Sequence, residues 1–335
     1  MLTTGVLLAT GASPGLGAEA KTALAAFVVG IIVGITGMGG GALMTPALIF
    51  LGVGSASTVV TADLTASAVS RSAGAAVHWR QGSPNLRLAG WLVVGSVPMA
   101  FLGPRLLTWL SPPGDLETLL KLCIGFALLF AATTYAVRQY LNLRKRARHG
   151  PSPAREPQIR PVPTLVVGML GGLLVGVTSV GAGSVIMIAM LLLYPTLSAV
   201  KLVGTDLVQA VPLVIAAAVS NILVHGVDWW VTVPLIIGSL PGTFLGAKLA
   251  PRVSQSLIRR GLVIILTVSG LTLLDQASVI PFGSGGRTHP IAIALIGLGM
   301  VALGPVVWGA LRRSVGLPMF GPPPAARAER MKVRS

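Results

Sequence analysis

Long apolar stretches separated by short polar connections make up most of this chain. Stretches of about 20 apolar residues are long enough to cross a bilayer as α-helices. Two stretches in the first half are shorter, and a run of glycines separates them. This pattern predicts an all-α polytopic membrane protein with about eight to eleven membrane segments. The predicted segments are 22–36, 41–54, 57–77, 86–108, 117–137, 163–178, 183–195, 199–224, 229–250, 257–275 and 290–311.

The second half of the chain repeats the first. Residues 95–107 read GSVPMAFLGPRLL and residues 238–250 read GSLPGTFLGAKLA. Upstream, 34–41 is GITGMGGG and 176–183 is GVTSVGAG, and the offset between matching positions is 142 or 143 residues. An ancestral unit of about 140 residues was therefore duplicated. Glycine-broken helices at matched places in two repeats are typical of the substrate site of a transporter.

The polar connections give the boundaries of the units. The connection between the repeats is basic and rich in proline, and the end of the chain combines GPPP with scattered arginines, a composition that favours disorder. The beginning lacks the basic region of a cleaved signal peptide. We predict an N-terminal lead (1–21), a first repeat (22–140), a basic cytoplasmic linker (141–161), a second repeat (162–276), an extra helix (288–312) and a disordered basic cytoplasmic tail (313–335).

Composition supports a membrane location and excludes a soluble fold. The chain is 53% hydrophobic and 10% charged, whereas soluble domains carry about 25% charged residues. The net charge is +16, but its basic residues cluster beside apolar stretches. That distribution marks cytoplasmic loops that contact anionic lipid headgroups, and it argues against a nucleic-acid partner. We expect a multi-pass protein of the cytoplasmic membrane, with homo-oligomerisation left open.

The same charges predict how the repeats are oriented. If the basic linker is cytoplasmic, an odd number of crossings per unit also places Arg252, Arg259 and Arg260 in the cytoplasm. An even number would place them outside. The odd count makes the two units inverted repeats related by a two-fold axis in the membrane plane, and it leaves the C-terminus cytoplasmic.

The two glycine breaks are the first candidate site. Glycine lets the backbone leave helical geometry, and such backbone is tolerated at membrane depth only beside protein or a water-filled cavity. Free N–H groups at the following helix start attract an anion. The alternative is close packing of helices through small residues. The candidate anion-binding residues are Thr36, Gly37, Gly39, Gly40 and Gly41 in the first break and Thr178, Ser179, Gly181, Gly183 and Ser184 in the second.

Three charged residues in apolar stretches complete the candidate site. Asp63 and Asp206 are repeat-matched, and each is either an N-cap or first-turn acid or a proton or cation relay that couples transport. Arg71 has no matched charge, since Val214 stands at its position. It is either an anion ligand or the partner of Asp63 in a structural ion pair. The matched pair His78 and Asn221 is more typical of interfacial caps than of a pore lining.

The sequence contains no pattern of a resident cofactor or of catalysis. The four histidines and the single cysteine, Cys123, show no metal-ligand spacing, and there is no nucleophile elbow, P-loop or dinucleotide fingerprint. We therefore expect no metal, no cofactor and no catalytic residues, and a protein that is not an enzyme.

The pattern GxTGxGGGxLxxPxL at 34–48, its echo at 176, and the repeated GSxPxxxLGxxL element resemble the sulfite exporter TauE/SafE family of membrane transporters. The second break departs from the pattern, because Ser179 and Ala182 replace glycines. The resemblance implies transport of small organic or inorganic anions, often sulfur-containing, without a dedicated cofactor. We predict a secondary transporter of an anion such as sulfite or a sulfonate that works by alternating access. The alternatives are an anion channel and an assembly factor for membrane proteins.

Overall fold

A computed structural model describes residues 16–36, 40–80, 84–112, 114–148, 158–181, 185–194, 197, 199–253, 255–277 and 290–314. This part of the chain folds into α-helices with one 3-10 turn at Ala250–Arg252 and no strand. The helices are α1 (Leu16–Thr36), α2 (Gly41–Phe50), α3 (Ala56–Arg80), α4 (Leu86–Leu110), α5 (Leu116–Arg148), α6 (Pro161–Thr178), α7 (Val185–Leu193), α8 (Ala199–His225), α9 (Trp229–Leu249), α10 (Gln255–Gln276) and α11 (Pro290–Ser314).

The predicted all-α polytopic architecture is confirmed. Within the described ranges, six helices are long and apolar enough to cross a membrane, namely α1, α4, α5, α6, α8 and α9. The flanking helices α2 and α7 are short, as predicted for the segments next to the glycine breaks. The total of eight to eleven membrane segments stays a prediction.

Two predicted boundaries differ from the helices. Helix α5 continues beyond residue 140 to Arg148, because the basic stretch that follows the apolar one contains good helix formers. Helix α1 begins at Leu16, inside the predicted lead. Most of the remaining linker and the tail after Ser314 lie outside the described residues, so the predicted disorder of the tail stays a prediction.

The helices of the two halves interlock. Helix α1 packs along α9, and α4 packs along α6. In the repeat, α1 corresponds to α6 and α4 corresponds to α9. The α1–α9 interface therefore corresponds to the α6–α4 interface. Helices α3 and α8 pack against each other, as do α5 and α10. Every major interface therefore has the partner that a two-fold relation between the repeats requires.

Glycines set the direction of the interlocked helices. Along α9, Gly238, Gly242 and Gly246 lie against Ala23, Phe27 and Ile31 of α1 in that order, so the two helices run parallel. Along α6, the glycines at 168, 172 and 176 lie against residues 92, 96 and 100 of α4, so these helices are also parallel. Because glycine has no Cβ, the backbones touch directly.

The relation between the two interlocked pairs shows that the repeats are inverted. Helix α8 runs parallel to α4, since the Asn85 amide donates to Thr205 at one end (2.9 Å) and Ser220 donates to the Phe101 carbonyl at the other. Only three residues connect α8 to α9, so these two spans cross in opposite directions. Helices α4, α6 and α8 are thus antiparallel to α1 and α9. The first helices of the two repeats, α1 and α6, are antiparallel, as the charge pattern predicts.

Candidate functional site

The two glycine breaks meet in the centre of the bundle. Helices α1 and α6 approach from opposite faces, and Gly41 at the start of α2 lies against Ser179, which follows α6. A Cβ on Gly41 would lie 2.6 Å from the Ser179 carbonyl carbon and 2.7 Å from its Oγ. Ser179 ends α6 in the left-handed region with φ 60°. The two predicted breaks therefore pack directly against each other.

Asp63 joins the two breaks. Its carboxylate, 1% exposed, accepts hydrogen bonds from Thr45 Oγ1 (2.9 Å) and Ser179 Oγ (2.6 Å). Thr45 belongs to α2 and Ser179 to the second break, so this one carboxylate connects three elements. Asp63 and Asp206 each lie seven residues after the start of their helix. The N-cap or first-turn interpretation of the two acids is therefore wrong, because both are buried inside a helix.

A cavity of about 320 Å³ opens beside this junction. Both repeats contribute to its wall, through α1, α2 and α3 of the first and α7, α8 and α9 of the second. Charged and hydroxyl side chains share the wall with small and apolar residues. The lining consists of Val33, Gly34, Gly40, Met44, Asp63, Ala66, Ser67, Ser70, Arg71, Met187, Val203, Asp206, Leu207, Ser239, Thr243 and Ala247.

Arg71 is the cation of the cavity wall. Its side chain is 8% exposed, and its buried Nε has no hydrogen-bond partner. Within the described ranges, the ion pair at contact distance is Lys121–Glu117 on α5, so the predicted ion pair between Arg71 and Asp63 is not formed. Both cavity carboxylates, Asp206 and Asp63, act electrostatically on the guanidinium. Arg71 thus keeps hydrogen-bonding capacity that no described protein group uses.

The other predicted residues have four different surroundings. Gly40 lines the cavity, where a Cβ would lie 3.1 Å from Asp63 Oδ1. Thr36 and Thr178 donate to carbonyls of their own helices, to Val33 at 3.0 Å and to Leu174 at 2.6 Å, and they do not line the cavity. Gly181 has a positive φ of 124° and packs towards Leu174. Four predicted positions lie outside the described residues: Gly37, Gly39, Gly183 and Ser184.

Several polar residues of this region were not singled out by the sequence. Ser67, Ser239 and Thr243 place hydroxyls in the cavity wall. The last two belong to the repeated element GSLPGTFLG, so a signal for them was present in the repeat itself.

Asn221 is buried, 2% exposed, and donates to the carbonyls of Gly176 and Ala217 at 2.9 Å each. It is therefore a link between helices and not an interfacial cap.

The chain matches the family model described as Sulfite exporter TauE/SafE over residues 22–273. The chain belongs to the sulfite exporter TauE/SafE family. The match spans both repeats and leaves out α11. It confirms the resemblance seen in the glycine breaks and in the repeated GSxPxxxLG element.

Curated relatives of this TauE/SafE chain are named as probable membrane transporters. It is 36% identical over 253 residues to the "Probable membrane transporter protein YjnA" of Bacillus subtilis (strain 168), covering 73% of this chain and 96% of that protein. It is 26% identical over 255 residues to YdhB of the same strain, covering 75% and 98%. A probable membrane transporter of Xylella fastidiosa (strain 9a5c) is 27% identical over 268 residues, covering 76% and 94%. No solved structure matches the chain. The protein is a multi-pass membrane transporter and not an enzyme.

Proposed function

We propose that this TauE/SafE protein is a secondary transporter that moves a small sulfur-containing anion, such as sulfite or a sulfonate, across the cytoplasmic membrane by alternating access. One observation carries the proposal. Arg71 is a buried guanidinium with an unused N–H, and it lines a central cavity where the two glycine breaks meet. Keeping such a group at membrane depth is costly, and it is tolerated where the group has a task.

The cavity fits a small oxyanion. A guanidinium presents its donors in a planar fork that matches two oxygens of a sulfonate or sulfite group. Ser67 and Ser239 add hydroxyl donors to the same cavity wall. The volume of about 320 Å³ corresponds to about ten water molecules at roughly 30 Å³ each. That space holds a small anion with a few waters and excludes a large amphiphile.

The comparisons support the substrate class without naming the substrate. The family description refers to sulfite export, and the curated relatives carry transporter names without a substrate. A sulfur oxyanion is therefore the first class to test. Uptake and export measurements with the same anions determine the direction of transport.

Alternating access is supported by a difference between the two halves of the molecule. Inverted repeats would offer two equivalent cavities if both adopted the same conformation. On the cavity side, Gly34, Ser70, Val203, Leu207, Thr243 and Ala247 are partly or fully exposed. Their repeat counterparts Gly176, Leu213, Val60, Leu64, Ala100 and Pro104 are all buried. One side is thus open and the equivalent side is packed shut.

Exchange of these two conformations between the repeats would move access to the opposite face. The packed side is closed by α4 against α6 and by the Asn221 amide on the Gly176 carbonyl. The open side lies near the beginning of α8 and the end of α9. If the basic linker is cytoplasmic, this is the cytoplasmic end, and we propose that the described conformation faces inward.

The proposal is tested by radiolabelled uptake in proteoliposomes with sulfite, thiosulfate, sulfoacetate and sulfate. Arg71→Lys keeps the charge and removes the fork, so we expect the apparent substrate constant to rise about tenfold, which corresponds to about 1.4 kcal/mol. Arg87→Lys changes an exposed arginine outside the cavity and should leave the constant unchanged. An unaltered constant in Arg71→Lys would contradict the ligand role. Counterflow, in which unlabelled substrate inside accelerates labelled uptake, separates a carrier from a channel.

A further inference from the structure

The charge of the cavity does not suit an anion alone. The charged side chains among its described lining residues are Asp63, Asp206 and Arg71. With all three ionised, the wall carries one excess negative charge. A monovalent anion would raise the excess to two in a space largely removed from water, where uncompensated charge is strongly unfavourable. Anion binding therefore requires a positive charge from elsewhere.

The cavity has one described cation for two acids. Arg71 acts electrostatically on both Asp206 and Asp63, and no described cation lies at ion-pair distance from Asp63. Under the repeat relation, the position equivalent to Arg71 is Val214, an apolar residue. One carboxylate is therefore left without a compensating charge, and the hydrogen-bond partners of Asp63 single it out.

Asp63 is held by groups that tolerate both of its protonation states. Its carboxylate accepts hydrogen bonds from the hydroxyls of Thr45 and Ser179. A hydroxyl donates to a carboxylate and can rotate to accept from a carboxylic acid. The repeat counterparts of these two residues are Met187 and Gly37, which have no hydroxyl, so the arrangement exists around Asp63 and is not repeated around Asp206.

We propose that Asp63 takes up one proton together with the anion, which makes the protein an anion–proton symporter. The proton neutralises the excess charge while the anion engages Arg71. Both hydroxyls donate to Oδ2, and protonation of the acid removes the negative charge that strengthens these two bonds, which loosens the link between α2 and the second break. Proton binding and movement of the breaks are thereby coupled at one carboxylate. This inference rests on the proposed anion transport.

The other ionisable groups near α3 do not replace Asp63 in this role. Helix α8 contributes Asp206, which has Arg71 nearby, and α2 contributes none. Glu117 of α5 is engaged at the start of α3, where it accepts from the Ala56 amide at 2.9 and 3.0 Å. Other ionisable groups on the packed helices include Tyr135 of α5, which acts on Arg71, Lys201 and His225 near the two ends of α8, and Lys248 in the last turn of α9.

The test measures proton movement with each of the four anions in proteoliposomes that contain a trapped pH dye. For one-to-one symport of a monovalent anion, a gradient of one pH unit should drive about tenfold accumulation by the wild type. Asp63→Asn has no carboxyl group to protonate, so the protons taken up per anion moved should fall from about one to about zero, and pH-driven accumulation should fall to about onefold. Asp206→Asn should keep the proton signal per anion moved.

The outcomes separate this inference from the proposed function. If the wild type moves none of the anions, the proposed function fails and the inference fails with it. If the wild type moves an anion without protons, the function stands and the symport is refuted, a result that does not depend on folding of any variant. A proton signal that survives Asp63→Asn, or that is lost only in Asp206→Asn, assigns the proton to another group. All variants are compared with the same anion. Any proton that the anion itself carries then contributes equally to every signal and does not affect the difference between variants.

Discussion

Replacing Gly41 by alanine adds one methyl group at the point where the two breaks meet. The new Cβ would lie 2.6 Å from the carbonyl carbon of Ser179 and 2.7 Å from its Oγ. Real Cβ atoms essentially never come within 3.0 Å of such atoms. The nearest atoms include backbone, so rotation of a side chain cannot relieve the overlap. Helix α2 must move away from the second break.

Two terms add to the cost of this movement. Overpacking a tight site destabilises by about 1–3 kcal/mol. Moving Ser179 also strains its 2.6 Å hydrogen bond to Asp63, and a hydrogen bond to a charged group contributes about 1.5–3 kcal/mol. We therefore expect Gly41→Ala to lose roughly 2.5–6 kcal/mol of stability. Uptake should fall with it, because Gly40 and Asp63 beside this junction line the central cavity.

Gly90→Ala is the matched control. Gly90 lies within α4, is exposed, and has no atom within 4 Å of an added Cβ. Alanine in a helix is favoured over glycine by about 0.5–1 kcal/mol, so this variant should be neutral or slightly more stable. The assay is the melting temperature in detergent together with uptake in proteoliposomes. A Gly41→Ala protein with the melting temperature and flux of the wild type would refute the reasoning that the breaks meet there.

Two further predictions use cysteine labelling, with the single native cysteine, Cys123, replaced by alanine. Gly226→Cys and Arg252→Cys flank the span α9, so the first should label from outside and the second only after permeabilisation; labelling of both from one side would contradict the topology. Asn221→Ala removes the amide that holds α8 to the Gly176 carbonyl, so a cysteine at buried Ser96 on the closed side should react several-fold faster from outside. Unchanged reactivity would show that Asn221 does not hold that side shut.

Much of the fold could be predicted from the sequence because lipid imposes simple rules. Apolar length defines the spans, glycine runs define the breaks, and the distribution of arginine and lysine defines the inverted orientation. The repeat added matched positions such as Asp63 and Asp206. What failed was local inference about partners. The spacing of Arg71 and Asp63 along α3 allowed an ion pair, but the structure does not form it, and Asp206 of the other repeat also acts on the guanidinium.

The missing information lies in contacts between distant parts of the chain. The bond from Ser179 to Asp63 joins residues 116 positions apart, and the hydroxyls of Ser239 and Thr243 reach the cavity because α9 packs along α1. A repeat in sequence also cannot show that its two copies adopt different conformations. Arg71 and Val214 break the symmetry in charge, and the open and packed sides break it in shape. Both differences fall around the cavity: the first repeat supplies the guanidinium of Arg71 and the hydroxyl-bonded carboxylate of Asp63, and the second supplies the carboxylate of Asp206.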